Sequence, residues 1–332
     1  RRYIYDMVVV GNATMRDIFF GIDVQSIGEK PYKSLTEFEF DSGTRNSTSI
    51  TANSKDLGLR IFPEANVYSG PLVKGHVGAD VSADLLAIGM DQQEDPLMLI
   101  DVGTNTEVIV GNKDYMVAAS CPAGPAFEGG EITYGMPGYE GAVEKVKLDG
   151  DSCECVTIGG GEPQGICGSG LVDLLAELRR SGKMNALGVL EDGASEFYFS
   201  PEKGMYLSRA DISALAQAKS ANYSGQWIVL RKYGMPLNEI SRLCLAGGFA
   251  NYLDIQNAIA VGFIANLEAS NIEKVGNAAL EGATIMLLSQ EMRGTVEKMV
   301  RRVEHVELES IPDFFDIFVE GCLFNPMSTD IV

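Results

Sequence analysis

The sequence predicts an α/β fold in which short buried strands lead through glycine turns into helices. The first such unit runs from the apolar segment 6–10 into a glycine turn at 11–15. A second begins with the apolar segment 243–246, which is followed by two adjacent glycines and a helical pattern. Between them lies a run of short strands that starts at residue 97. A chain of 332 residues can bury a sizeable core, and its length predicts two domains.

The composition indicates a globular protein with a strong negative charge. Twenty-six basic and 46 acidic residues give a formal net charge of −20. This charge disfavours binding to nucleic acid or to an anionic membrane surface. No apolar run reaches the roughly 20 residues needed to span a bilayer. We therefore expect a cytoplasmic protein that binds neither nucleic acid nor membrane.

The six cysteines are scattered along the chain, which suits reduced thiols better than a disulfide framework. Cys153 and Cys155 lie in the segment 141–158, which has the pattern of a hairpin. They resemble half of a metal site, but Cys167 stands alone and the two histidines lie far away in the sequence. The favoured interpretation is that these are simply two cysteines on a hairpin strand, and their role stays open.

The first third of the chain contains one further clear helix. Residues 24–72 are turn-rich and show little periodicity. Residues 82–89 predict a helix of small side chains that is closed by a glycine. The polar segment 91–96 breaks helical structure and is the expected domain boundary, which gives domains 1–95 and 96–332.

The remaining chain predicts a meander followed by helices. Three short strands are expected at 97–101, 107–110 and 115–119. Helices are expected over 171–180, where leucines share one face, and after Ser208, which has the pattern of an N-cap.

The turn that follows the strand at 97–101 has the composition of a phosphate-binding hairpin. Gly103 permits close approach of an oxyanion, and the amides around Thr104 and Asn105 can point at phosphate oxygens. Asp101, at the strand end, is placed to hold a magnesium ion through water. An ordinary strand that ends in a polar turn explains these residues equally well.

Three more glycine-rich segments allow two interpretations each. The loop at 120–130 combines glycine, proline and apolar residues, so it either lies against a ligand or forms a tight buried connection. Glycines and a serine at 165–170 suit an anion site at a helix start, and they equally suit close helix packing. Gly247 and Gly248 expose bare backbone on which a flat ligand can lie.

The order of these features resembles the actin-like ATPase superfamily, which includes sugar and acetate kinases, Hsp70-type chaperones and actin. Several segments are more specifically similar to the reductive activators of corrinoid proteins. These segments are Val9-Val10-Gly11-Asn12-Ala13-Thr14-Met15, Val77-Gly78-Ala79-Asp80, Ile100-Asp101-Val102-Gly103-Thr104-Asn105, Ala123-Gly124-Pro125-Ala126-Phe127-Glu128-Gly129, Ile166-Cys167-Gly168-Ser169-Gly170 and Leu245-Ala246-Gly247-Gly248-Phe249.

The resemblance implies an actin-like ATPase fold with ribonuclease-H-like domains. Residues 1–95 then correspond to the C-terminal part of an incomplete first domain, with a hinge helix at 77–90. Residues 96–332 correspond to the second, nucleotide-binding domain, with a hinge helix near 276–289.

The resemblance also implies that ATP and Mg²⁺ are bound. Asp101 and Glu128 are the implied catalytic residues, and Asp101 is also the implied metal contact. Lys219 matches a position that contacts the ribose in related ATPases. The implied nucleotide contacts are Gly103, Thr104, Asn105, Gly124, Pro125, Lys219, Gly247, Gly248 and Phe249.

Two parts of the family pattern are absent from this sequence. The first phosphate loop is expected upstream of Tyr5, and a ferredoxin-like domain with a [2Fe-2S] cluster is expected still further upstream. We therefore expect the chain to be the C-terminal piece of a longer protein, and the resemblance leaves open whether this piece alone hydrolyses ATP.

The resemblance implies that the longer protein uses ATP to drive reduction of an oxidised corrinoid cobalt, with a corrinoid protein as its partner. One alternative is a small-molecule kinase of the same fold, in which Asp80 or Glu128 acts as the base. Another is a module that docks a corrinoid protein without hydrolysing ATP. A homodimer is compatible with each of these hypotheses, and the sequence does not indicate the oligomeric state.

Overall fold

The computed structural model describes residues 1 and 3–329, which form two compact units. Unit 1 contains Arg1–Leu97, Ile109–Ala119 and Asn277–Val306. Unit 2 contains Met98–Val108, Ser120–Gly276 and the residues from Glu307 onward.

The regular elements of the described chain are short strands and helices of very different lengths. The strands are β1 (Asp6–Val8), β2 (Ile50–Asn53), β3 (Asn66–Ser69), β4 (Leu97–Val102), β5 (Thr106–Gly111), β6 (Met116–Cys121), β7 (Ala142–Asp149), β8 (Ser152–Thr157), β9 (Gly165–Ile166), β10 (Glu196–Ser200), β11 (Met205–Ser208), β12 (Leu243–Ala246), β13 (Ile272–Gly276) and β14 (Val303–His305). The α-helices are α1 (Ala13–Phe19), α2 (Leu35–Asp41), α3 (Ala79–Ala87), α4 (Gly168–Arg180), α5 (Arg209–Tyr233), α6 (Ile255–Ala260), α7 (Ala278–Leu288), α8 (Gln290–Val300) and α9 (Phe314–Gly321).

In unit 1, β3 pairs in parallel with β1 and antiparallel with β2. β6 and β14 form a second parallel pair. The segment 24–72 contains α2, β2 and β3, although its sequence shows little periodicity. These elements have only seven, four and four residues, which is too short for a periodic pattern to emerge. A local signal for α2 does exist, because Ser34 and Glu37 form a capping box.

The two helices predicted at the hinge, α3 and α7, pack against each other within unit 1. A Cβ atom at Gly282 would lie 2.0 Å from the carbonyl oxygen of Ala83. The helix backbones therefore approach as closely as their small residues allow. α3 ends as predicted, since Gly89 has a φ of +66° directly after the C-cap residue Ile88.

A buried ion pair stabilises the N-terminal part of unit 1. The guanidinium of Arg16 donates to the carboxylate of Asp17 at 2.9 and 2.7 Å, and both side chains are fully buried. Arg16 also donates to the carbonyl oxygen of Thr48, and Ser34 donates to Asp17 at 2.6 Å. Burial lowers the pKa of Arg16, and its attraction to Asp17 opposes this shift. The network satisfies two charges that water cannot reach.

Unit 2 is built on strands in the order β13, β12, β4 and β5. β12 is parallel to both β13 and β4. The predicted hairpin at 141–158 is confirmed as the antiparallel pair β7 and β8, and β7 also pairs in parallel with β9. The predicted helices at 171–180 and after Ser208 are confirmed as α4 and α5. Within the described residues, no helix is both long and apolar enough to cross a bilayer.

Candidate functional site

Two glycine-bearing strand ends that are far apart in the sequence are neighbours in unit 2. In the parallel pairing of β4 and β12, Ala246 is aligned with Asp101. The carboxyl ends of these strands thus meet at one edge of the sheet, where open α/β sheets bind ligands. Gly247 has a φ of +100°, and a Cβ atom there would lie 2.4 Å from the carbonyl oxygen of Val102. Only glycine fits this turn, which passes beside the half-buried Asp101.

The hairpin turn and the glycine-proline loop form one continuous wall. The amide of Gly124 donates to the carbonyl oxygen of Thr104 at 2.9 Å. The hydroxyl of Thr104 lies 2.9 and 2.7 Å from the two carboxylate oxygens of Glu128. Gly103, Thr104 and Asn105 are exposed, so their backbone is accessible to a ligand. The structure therefore brings together two segments that the sequence predicted separately as candidate ligand-binding segments.

Two cavities adjoin this wall. A narrow cleft of about 20 Å³ lies against Gly103, Gly124 and Glu128 and has room for a water molecule. A larger cavity of about 360 Å³ shares Phe127, Glu128 and Phe249 with it and is within the size range of small-molecule sites. Other residues that line the larger cavity include Met136, Pro137, Cys167, Gly168, Ser169, Gly248 and Tyr252.

Three phenylalanines pack against one another and form an apolar cluster beside these cavities. The ring centroids of Phe127 and Phe263 are 4.9 Å apart, and those of Phe249 and Phe263 are 5.9 Å apart. A Cβ atom at Gly168 would lie 2.2 Å from the carbonyl oxygen of Phe127 and 2.4 Å from the ring of Phe249. The glycine at the start of α4 is thus required for close packing. The alternative from the sequence, an anion site, is compatible with the same geometry, because Gly168 and Ser169 also line the larger cavity.

The charges around the cavities are negative or absent. Glu128 and Glu144 are among the lining residues, and among the described residues that line the two cavities there is no Lys or Arg. A phosphate group here must therefore be held by backbone amides, by the positive end of α4 and by a divalent cation.

Asp101 is the candidate metal contact in this region. In the part of the chain that the structure describes, no three His, Cys, Asp or Glu side chains converge as a metal site. Magnesium commonly uses one or two carboxylates and takes its remaining oxygen ligands from water and phosphate. The single carboxylate of Asp101 suits this mode of binding.

Lys219 is not brought to the cavity wall. Its side chain is fully buried, and its ammonium donates to the carbonyl oxygens of Gly321 and Leu323 at 2.5 and 2.9 Å. Burial lowers the pKa of Lys219 to about 7. The ammonium also lies 5.5 Å from the ring centroid of Tyr223 and 5.7 Å from that of Phe324. This geometry does not support the predicted ribose contact and instead makes Lys219 an anchor for the segment after α9.

Several residues at the cavities were not predicted from the sequence. Asn222 and Phe263 line the narrow cleft, and the side-chain amide of Asn222 donates to the carbonyl oxygen of Phe263 at 2.6 Å. Tyr252 lines the larger cavity and is largely exposed. Tyr252 lies four residues after Gly248, so the glycine pair was a signal for it. Asn222 and Phe263 lie outside any motif and are brought in by the packing of α5.

Comparison with known proteins identifies this arrangement as an ASKHA domain, the ATPase domain of actin-like fold. Residues 95–331 match the family model described as "C-terminal domain of RACo the ASKHA domain". Residues 1–93 match the model described as "RACo middle region". The chain belongs to the RACo family. The predicted actin-like fold class and the resemblance to reductive activators of corrinoid proteins are confirmed.

Two relatives and one solved structure support the same family. The chain is 32% identical to "Corrinoid activation enzyme RamQ" from Eubacterium limosum, over 97% of this chain and 56% of that protein. It is 22% identical to "[Co(II) methylated amine-specific corrinoid protein] reductase" from Methanosarcina barkeri, over 94% of this chain and 61% of that protein. A solved structure of "Reductive activator for corrinoid,iron-sulfur protein" matches with a TM-score of 0.87 and 33% identity, over 99% of this chain and 54% of that one. The chain thus spans a little over half the length of these relatives.

Proposed function

We propose that the chain is the ATP-binding region of an ATP-dependent reductive activator of corrinoid proteins. The observation that carries this proposal is the joined wall of Thr104, Gly124 and Glu128 beside Asp101 and Gly247. It offers exposed backbone amides, one carboxylate for a magnesium ion and a neighbouring apolar cavity. The names of the relatives support a corrinoid protein as the partner.

In this proposal the phosphates of ATP lie along the hairpin turn and the glycine-proline loop. Gly103, Thr104 and Asn105 supply backbone amides, Gly124 holds the loop against Thr104 through its own amide, and Pro125 fixes the path of the loop. Asp101 binds Mg²⁺ through water, or orients the attacking water. Phosphoryl transfer to water depends chiefly on positioning and charge neutralisation, which these groups supply.

The adenosine part lies against Gly247, Gly248 and Phe249. The cavity of about 360 Å³ beside Phe249 and Tyr252 has the volume and the aromatic lining for a base. ATP binding favours one conformation of the activator, and hydrolysis releases it, so the nucleotide changes how the activator engages the corrinoid protein.

The finer features of the activator belong to the same proposal. The separate family matches to 1–93 and 95–331 support the division into domains 1–95 and 96–332, whereas the compact unit that holds residues 1–97 also includes 109–119 and 277–306. We further propose that the activator is cytoplasmic and acts on methyltransferase-linked corrinoid proteins. It binds neither nucleic acid nor membrane, and a homodimer is compatible with the proposal. A [2Fe-2S] cluster would be carried by a further domain of the longer protein.

Calorimetric titration of the chain with Mg²⁺ and ATP tests the nucleotide site. We expect saturable binding that weakens at least tenfold in Asp101→Asn, because the metal contact is lost. Asp95→Asn, an exposed carboxylate just before β4, is the matched control and should bind normally. Unchanged ATP binding by Asp101→Asn would refute the assignment of that residue.

A titration with a corrinoid protein and an assay of phosphate transfer distinguish the two alternatives. No heat with nucleotide, combined with saturable binding of a corrinoid protein, would favour the docking module. Transfer of the ATP phosphate to a sugar or to acetate would favour the kinase.

A further inference from the structure

Cys153 and Cys155 project from the same face of β8. Residues two apart in a strand share one face, and here the two sulfur atoms are 3.9 Å apart. Both side chains are half-buried, so they are accessible to a small molecule at the surface of the hairpin. Neither residue lines the cavities of the candidate nucleotide site.

The other thiols provide an internal contrast. Cys121, Cys167 and Cys244 are buried, and Cys322 is half-buried. Among the described residues, the contact on β8 is the one between two cysteine sulfurs that falls within hydrogen-bonding range. Proximity therefore distinguishes the pair from the other four cysteines, and access distinguishes it from the three buried ones.

We propose that Cys153 and Cys155 form a reversible dithiol–disulfide site, at which a small-molecule disulfide oxidises the chain. This is a modification site separate from the proposed nucleotide site, and it does not depend on that proposal. It assigns a role to the Cys-Glu-Cys motif, whose role the sequence left open.

The strand geometry permits this bond while making it easy to reduce. Alternate residues of a strand have Cα atoms about 6.6 Å apart, since each residue advances the chain by about 3.3 Å. This separation is near the upper end of the range of roughly 4.4–6.8 Å seen in disulfides. Parallel side chains two residues apart hold their Cβ atoms above the roughly 3.5–4.5 Å that a disulfide needs, so the strand must also bend at Glu154 to bring the sulfurs together. A disulfide that imposes this bend is strained and therefore labile.

The electrostatics of the pair favour one order of events. The hydrogen bond between the sulfurs lowers the pKa of Cys155 and raises the pKa of Cys153. The thiol of Cys155 donates to the carbonyl oxygen of Phe199 at 3.4 Å, so Cys153 is the donor in the contact between the sulfurs, and this arrangement favours Cys155 as the first nucleophile. Its thiolate attacks one sulfur of the small disulfide RS–SR, forms a mixed disulfide and releases RS⁻.

The second step closes the ring. Cys153 loses its proton to solvent, and its thiolate attacks the sulfur of Cys155, which breaks the bond to the remaining RS group. The two protein thiols give up two electrons and two protons, and one RS–SR becomes two RSH. No other oxidant is required.

Oxidised glutathione is the probe that tests this proposal. The reduced chain is incubated with it, quenched with acid, alkylated in denaturant and analysed by mass spectrometry. We expect the number of alkylated cysteines to fall from six to four. The tryptic fragment 148–179 should lose two hydrogen atoms at Cys153 and Cys155, while Cys167 in the same fragment stays alkylated. Dithiothreitol should restore all six thiols.

Three variants sharpen the test. Cys153→Ser and Cys155→Ser should each form no internal disulfide and at most carry one glutathione on the remaining thiol. Cys322→Ser, which removes the other half-buried thiol, should still form the disulfide between Cys153 and Cys155. The proposal is overturned if the wild-type fragment keeps both thiols, if the internal disulfide persists in Cys153→Ser, or if dithiothreitol does not reverse it.

Discussion

Thr104 places its hydroxyl between the two carboxylate oxygens of Glu128, at 2.9 and 2.7 Å. One residue belongs to the hairpin turn and the other to the glycine-proline loop, so this contact joins the two segments that form the wall of the proposed phosphate site. The hydroxyl also positions the carboxylate at the narrow cleft beside Gly103 and Gly124.

We predict that Thr104 and Glu128 act as one unit in ATP hydrolysis. Thr104→Val and Glu128→Gln should each reduce turnover, and the double variant should be little worse than either single one. The coupling free energy should be about 0.5–3 kcal/mol, as for residues in direct contact. Steady-state rates of phosphate release measure this cycle, with exposed Glu140→Gln as control. Strictly additive losses would show that the two residues act separately.

The close packing of α3 and α7 predicts opposite effects at two helical glycines. Gly282→Ala places a Cβ atom 2.0 Å from a backbone oxygen of α3, so the helices must separate. We expect a loss of about 1–3 kcal/mol in the free energy of unfolding. Gly294→Ala in α8 meets nothing within 4 Å and should stabilise the chain by up to about 1 kcal/mol. Urea denaturation of the two variants measures both, and a neutral Gly282→Ala would contradict the close approach.

The buried Arg16–Asp17 pair predicts a large cost when one charge is removed. Asp17→Asn leaves the guanidinium buried without its counter-charge, which should cost about 3–5 kcal/mol. Asp41→Asn removes the partner of Lys33 in a partly exposed pair and should cost at most about 1 kcal/mol. The same denaturation assay compares them, and equal losses would mean that the buried network contributes no more than a surface pair.

His305 predicts a pH dependence of stability below neutrality. Burial, together with the charges of Lys74 and His76, lowers the pKa of His305 to about 4. The unfolded chain, with a histidine pKa of about 6.5, binds more protons between pH 6.5 and 4. Stability should therefore fall as the pH decreases through this window, by up to about 3 kcal/mol from this group.

The control for this prediction is the neighbouring exposed His76. His305→Gln should reduce the shift in the urea midpoint between pH 7 and pH 5, whereas His76→Gln should leave most of it. If His305→Gln keeps the full pH dependence of the wild type, another group is responsible.

The sequence predicted those parts of the fold and site that depend on local backbone chemistry. Gly247 was identified because two adjacent glycines at a strand-to-helix turn expose bare backbone to a flat ligand, and the structure adds a second reason, since a Cβ atom there would meet the carbonyl oxygen of Val102. α2 was missed because its seven residues carry no periodicity, although the capping box at Ser34 was present. Asn222 and Phe263 were missed because only the packing of α5 brings them to the cleft. Local motifs encode turns, whereas tertiary packing selects the side chains that surround them.

Lys219 provides a prediction that separates anchoring from nucleotide binding. Its ammonium donates to the carbonyl oxygens of Gly321 and Leu323, and these acceptors lose their buried partner in Lys219→Met. Each unsatisfied buried acceptor costs about 1–3 kcal/mol, so the segment after α9 should open more often. We expect faster hydrogen exchange over residues 314–325 in Lys219→Met, with ATP affinity changed less than threefold. Lys232→Met, on the exposed end of α5, should alter neither measurement. A tenfold loss of ATP affinity without faster exchange would instead restore the ribose contact that the sequence predicted, since only a residue that faces the nucleotide produces that combination.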